Sequence, residues 1–390
     1  MTSFACGASE TKNGPDLDAG PDADAGPEMD AAPDATPSKG PTQLAAGQFF
    51  TCALIAGRVA CWGSNASGQL GDGSGKPQPG AVFVAGLDDA IEIAAGQTHM
   101  CARTASKALR CWGLNAAGQL GDGTTMLRTA PVTTPLPAEP RSIEGGSNHT
   151  CAVLVDDRVA CWGGNIVGQL GDGTTQMRTS PVIVTGLSAA EVAGGNWHTC
   201  ARRADGTVAC WGANAFGVIG TNGPAGNATQ PVDIPDVKDA AAIESGAYFA
   251  CARTSAGLVR CWGQNKQGQL GDGTTADHAN ATTVTGLSDA VEVVAGWGHA
   301  CARRMSGNVA CWGSNEFGEL GDGSLMLRVT AVGVMGLSGV VEVVAGFDHT
   351  CARTGRGDVY CWGQNADGQL GDGTINHRSQ PARVVVLDAL

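Results

Sequence analysis

Fourteen of the fifteen cysteines fall into seven pairs, nine or ten residues apart within each pair. They are Cys52/Cys61, Cys101/Cys111, Cys151/Cys161, Cys200/Cys210, Cys251/Cys261, Cys301/Cys311 and Cys351/Cys361. One pair per unit at a nearly constant spacing reads as one disulfide per unit, and hence as an oxidising compartment. A structural zinc site would want the close Cys-x-x-Cys knuckle, which these pairs lack, so no metal is expected. Cys6 is the odd one out.

Two other chemically capable residues recur. Asp72, Asp122, Asp172, Asp272, Asp322 and Asp372 each stand between two glycines. A calcium loop draws several oxygens from alternating positions, which a single Asp does not supply. An Asp that accepts backbone N–H groups in a turn is the simpler reading. His99, His149, His198, His299 and His349 share one place in the repeat, and Phe50 and Phe249 hold it in two further units. Phe is neither base nor ligand, so these histidines are expected to be tied to backbone rather than catalytic. No Gly-x-Ser-x-Gly elbow or phosphate loop is present. No catalytic residue or cofactor is therefore expected. A surface enzyme acting on envelope sugars would need paired carboxylates converging at one centre.

These residues sit on a repeat. Cys-Trp-Gly triplets begin at Cys61, Cys111, Cys161, Cys210, Cys261, Cys311 and Cys361, 49 to 51 residues apart. Periods of this size mark a stack or ring of one supersecondary unit. Within the second unit, Ala90–Ala95, His99–Arg103, Leu109–Gly113 and Pro131–Thr133 read as four short strands punctuated by Gly. The hairpin between the middle two sets Cys101 opposite Cys111. A four-stranded unit of this length suits a propeller blade, so the fold class is all-β, a seven-bladed β-propeller. Trp62, Trp112, Trp162, Trp211, Trp262, Trp312 and Trp362 hold equivalent positions and read as core, each burying roughly 150–250 Å². The first unit begins late, at Leu44, and the chain ends with Val384–Leu390. That ending resembles the Val184-Thr185-Gly186-Leu187 piece, so the ring is expected to close with strands from both termini in one blade.

The propeller is expected over residues 42–390. Residues 1–41 are rich in Asp, Ala, Gly and Pro and read as a disordered acidic tether. The stretch Ser3-Phe4-Ala5-Cys6-Gly7 resembles the end of a lipoprotein signal, which marks Cys6 as a candidate lipidation site. A net charge of −13 argues against nucleic acid as partner.

The His-Thr-Cys-Ala strand, Val208-Ala209-Cys210-Trp211-Gly212 and Gly368-Gln369-Leu370-Gly371-Asp372-Gly373 resemble the regulator of chromosome condensation repeat family. The resemblance covers nearly everything from Leu44 onward. It implies a seven-bladed propeller with strand-swapped closure. The paired cysteines resemble a secreted bacterial branch rather than the nuclear members. The family does not fix function. One relative is a nuclear nucleotide-exchange factor for a small GTPase that works through a hairpin wedge, and the even spacing here leaves no room for one. Another is a plant ultraviolet-B photoreceptor with a Trp cluster. A third is a secreted bacterial inhibitor that binds an enzyme through an aromatic-lined face.

The positions that vary while their surroundings repeat carry the functional expectation. The two residues before the recurrent His read Gln48-Phe49, Gln97-Thr98, Ser147-Asn148, Asn196-Trp197, Ala247-Tyr248, Trp297-Gly298 and Phe347-Asp348. Phe49, Trp197, Tyr248, Trp297 and Phe347 are thus the candidate partner-binding residues, ringing one face. The expectation is a monomeric, non-catalytic protein-binding scaffold outside the cytoplasm, secreted or held at the outer membrane by a lipid on Cys6. The alternative is an intracellular exchange factor or regulator of a small GTPase.

Overall fold

A computed structural model of the chain describes residues 40–390 except 79, 222 and 224. Residues 1–39 of the expected tether, with the lipidation site Cys6, lie outside the described residues. Seven four-stranded antiparallel sheets stand around a central channel. In the second blade the strands are Ala90–Ala95, His99–Thr104, Leu109–Gly113 and Arg128–Thr134, running from the channel outward. The inner strand of each blade contacts the inner strand of the next, and the first contacts the last.

The middle strands are buried on both faces because each blade is sandwiched between two others. His149–Leu154 is buried throughout, and Arg158–Gly163 is buried except at Arg158. The apolar core therefore lies between blades. Leu109, Cys111 and Leu120 of the second blade pack with Ile143, Leu154 and Trp162 of the third. All seven expected disulfides are formed, across directly opposed residues such as Cys101 and Cys111, whose Cα atoms are 4.1 Å apart. Each closes a loop of about ten residues, worth about 2–3 kcal/mol on the chain-entropy account.

The closure differs from the expectation. Among the described residues no sheet takes strands from both ends of the chain. The first blade is Gln43–Ala46, Phe50–Ile55, Arg58–Gly63 and Val82–Phe83, and the last ends with Arg378–Arg383. The terminal Val-rich stretch forms a short 3₁₀ turn, Val386–Ala389. The reason lies in the element it copies. Val84 and Val384 donate to the carbonyls of Val59 and Val359 of their own blades, and Ala85 and Val385 to Gly71 and Gly371. The piece is a linker that leaves a blade, and only in the third blade does its outer strand, Arg178–Ser188, absorb it.

The ring closes instead through the bonds that join every other pair of blades. The seven loops after the inner strands form a continuous circle of backbone hydrogen bonds: Gln48 to Gln97, Gln97 to Gly146, Ser147 to Gly195, Asn196 to Ala247, Ala247 to Trp297, Trp297 to Phe347, and Phe347 back to Gly47 at 3.3 Å. Each core Trp donates Nε1 to a loop carbonyl of the preceding blade. Trp112 reaches Gln69 O at 2.9 Å, and Trp62 closes the set on Gln369 O at 2.9 Å. Gly121 has φ +68°, and a Cβ there would lie 2.7 Å from Trp162 Nε1, so glycine is required where loop meets indole.

Candidate binding face

Three features that the sequence offers as chemistry are structural. The seven tryptophans are 0–1% exposed, out of reach of a ligand. The loop Asp is consumed locally: Asp122 Oδ1 accepts from Thr124 N at 2.9 Å, Thr124 Oγ1 at 2.7 Å and Asn115 Nδ2 at 3.1 Å. Its Oδ2 accepts from Arg128 Nε at 2.8 Å. Partial burial would raise this carboxyl, but the hydrogen bonds from Thr124, Arg128 and Asn115 hold it below the usual range. The Arg six residues after the Asp is repeated as Arg178, Arg328 and Arg378, and this spacing is the sequence signal for the pairing. No group of three His, Cys, Asp or Glu able to hold a metal occurs among the described residues.

Four of the five histidines are tied down, but not to backbone. Nε2 of His99, His149, His299 and His349 lies 2.8–3.0 Å from the hydroxyl of Thr150, Thr199, Thr350 and Thr51 in the next blade. The strand-start ring folds over the glycine three residues before it, which leaves only its far nitrogen to reach across the seam. A Cβ on Gly96 would meet His99 Cε1, and one on Gly47 would meet Phe50 Cε1, each at 2.0 Å. Phe can therefore hold the same place.

Four of the five expected aromatic residues come together. Phe49 and Phe347 have ring centroids 6.3 Å apart, Phe347 stacks on Trp297 at 4.0 Å, and Trp297 meets Tyr248 edge-on at 6.1 Å. Phe216 extends the run, 5.7 Å from Tyr248. It stands in the irregular fourth-blade loop at φ +63° and is 41% exposed. Phe216 lies outside the variable pair before the recurrent His, so that pattern does not identify it as a member of the face. Trp197 makes no ring contact with these five among the described residues. Its neighbour Asn196 does reach the face, through Nδ2 to the Tyr248 hydroxyl at 3.2 Å.

Antiparallel strand order puts the inner loops and the loops before the outer strands on one side of the ring. That side is also apolar at its periphery, where Met126, Ile166, Met326 and Ile375 are exposed. The rim of the channel is two-sided: Gln48, Gln97, Ser147 and Asn196 on one arc, Ala247, Trp297 and Phe347 on the other. Beside Phe347, burial together with Glu319 and Glu316 pushes the Asp348 carboxyl up to about 7.

Residues 3–290 match the RCC1-like domain, and residues 290–319, 340–369 and 356–389 match the regulator of chromosome condensation (RCC1) repeat. The chain belongs to the RCC1 repeat family. No curated protein sequence matches this RCC1-repeat chain. Among solved structures, Prp20p from Saccharomyces cerevisiae is 19% identical with a TM-score of 0.75, covering 86% of each chain. Yeast RCC1 (Prp20) bound to Kap60 is 18% identical with a TM-score of 0.76, over 90% of this chain and 86% of that one. Human WBSCR16 is 22% identical with a TM-score of 0.72, over 85% and 94%. At these identities the likeness is one of fold. RCC1-like propellers bind proteins and are usually non-catalytic. The seven disulfides suggest an oxidising, extracytoplasmic environment.

Proposed function

We propose that this RCC1-repeat propeller is a non-catalytic scaffold that works outside the cytoplasm and docks a protein partner on its aromatic face. The observation that carries the reading is the unbroken run Phe49–Phe347–Trp297–Tyr248–Phe216 on a rigid rim. Rigid, half-buried aromatic side chains lose little entropy on binding and make good anchors. The bacterial secreted origin, the acidic tether of residues 1–41, the anchoring lipid on Cys6 and the monomeric state belong to the same proposal. Intact mass with and without reduction, on protein from its own host, tests the lipid.

The test of the face is capture of a partner from the extracytoplasmic fraction by the wild-type chain and by a W197A/Y248A/W297A variant. Loss of the partner with all seven disulfides intact supports the assignment, and unchanged capture overturns it.

The exchange-factor reading has only likeness of fold behind it. Prp20p binds Gsp1p and histones, which is a property of that protein. Stimulated nucleotide release from a small GTPase would establish that reading. The sugar-hydrolase reading meets an electrostatic difficulty. Glu144 and Glu244 do face the channel, but burial pushes both carboxyls upward. Acid and nucleophile need their values driven apart.

A further inference from the structure

Four inner strands carry a glutamate seven residues before the recurrent His: Glu92, Glu191, Glu292 and Glu342. Each is paired across the sheet with an arginine, at 2.6–2.8 Å to Arg103, Arg202, Arg303 and Arg353. In the third and fifth blades that position holds Ser142 and Ala242, and the carboxylate stands two residues further on, as Glu144 and Glu244. The shift takes it away from any arginine, because the residues opposite are Cys151 and Cys251. Arg253, which faces Ala242, is left with an Nε that has no partner among the described residues. The displaced pair therefore leaves two carboxyls without a cationic partner.

Both carboxyls face a cavity. Glu144 and Glu244 line the central channel, which encloses about 360 Å³. Two residues of strand bring each carboxylate about 7 Å nearer the rim than its paired counterparts, leaving it three residues, roughly 10 Å, below. The long side chain of a guest together with that of Glu spans this depth. Trp297, stacked on Phe347, forms one arc of the rim and offers aromatic surface that attracts a cation. Ser245 lines the same cavity, is 8% exposed, and its Oγ has no hydrogen-bond partner among the described residues. Burial, then repulsion from Glu92 and Glu191, pushes Glu144 up to about 8, and burial with Glu144, Glu191 and Glu292 raises Glu244. A half-buried carboxyl with no cationic partner favours its neutral form until a cation arrives.

We propose that the channel receives an Arg or Lys side chain from the protein that docks on the aromatic face. This rests on the docking reading above and adds the chemistry of the partner: a protruding basic loop, consistent with the net charge of −13. The test titrates the full chain by calorimetry with a cyclic hexapeptide of Gly and Ser carrying one Arg, and with its citrulline twin. The Arg peptide should bind at least tenfold tighter, and E144Q/E244Q should abolish that preference. Equal binding of the two peptides, or a preference that survives E144Q/E244Q, overturns the proposal. Gln43 holds an inner-strand position of the first blade, so an amide is tolerated on these strands. If the captured partner is lost with W197A/Y248A/W297A but kept by E144Q/E244Q, the docking face stands and the cationic anchor falls.

Discussion

Nε2 of His99 lies 2.8 Å from Thr150 Oγ1 in the next blade, and that hydroxyl donates its one proton to Gln119 O at 2.8 Å. Thr150 must therefore accept from His99, which places a proton on Nε2, and burial keeps the ring neutral. Replacing Thr150 by Val leaves that N–H buried and unpaired. The variant should lose about 1–3 kcal/mol, read as a lower urea midpoint. An unchanged midpoint would mean that the bond contributes nothing to holding the blades together.

The seam between the fourth and fifth blades has a histidine but lacks this link. Ala250 stands where the four histidine–threonine seams have Thr, and neither ring nitrogen of His198 has a partner among the described residues. Two opposite repairs should both stabilise. A250T restores the hydroxyl, and H198F copies the Phe249–Ala300 combination that the next seam already uses. Each should raise stability by about 1 kcal/mol, seen as a higher melting temperature. A fall with both variants would show that the orphaned histidine is satisfied in some other way.

Stability should peak near pH 6.5. Burial lowers His99, His198 and His349 to about 3, and His149 and His299 to about 4, from 6.5 in the unfolded chain. Their folded values are depressed, so their contribution is present above pH 6.5 and lost as pH falls toward 3–4. Each costs about 1.4 kcal/mol per pH unit. Glu144 and Asp348 act the other way, since burial raises them to about 8 and 7. The stability they contribute at low pH is lost as pH rises from the ordinary carboxyl range through 7–8. Urea midpoints between pH 5 and 8 check this, and a flat profile would contradict it.

The cysteines should resist alkylation until the chain is both unfolded and reduced, because all fourteen are 0–1% exposed. Replacing Cys101 and Cys111 together by Ala should cost about 2–3 kcal/mol without opening the ring. Mass spectrometry after alkylation and a urea titration give the two readings.

Chelation should leave the melting temperature unchanged, because the loop carboxylates are already occupied by their own hydrogen bonds. D122N should instead cost about 1–3 kcal/mol, since the charge-assisted contact with Arg128 is lost. A drop in melting temperature with EDTA would revive a metal at these loops.

Blade count, strand order and disulfide pairing were legible because each is set by local, repeated chemistry. A hairpin of fixed length places Cys101 opposite Cys111, and the same residues do the same work seven times. The closure is not legible in Val384–Leu390, because its likeness to the Val-x-Gly-Leu piece does not reveal the backbone bonds that make it a linker. Phe216 was invisible as a face residue because it joins Tyr248 only through a positive-φ turn in a loop that breaks the repeat. The shift of Glu144 and Glu244 was present in the sequence, but pairing alone gives it meaning.

By itself the sequence determined the repeating unit, its strands, its disulfides and the residues free to vary, because these follow from spacing within about fifty residues. Only the tertiary structure decided how the ring closes, which aromatic residues meet, and which channel carboxylates stand without an arginine. Those outcomes depend on contacts between blades, where residues far apart in the chain compete for the same hydrogen bonds and the same buried space.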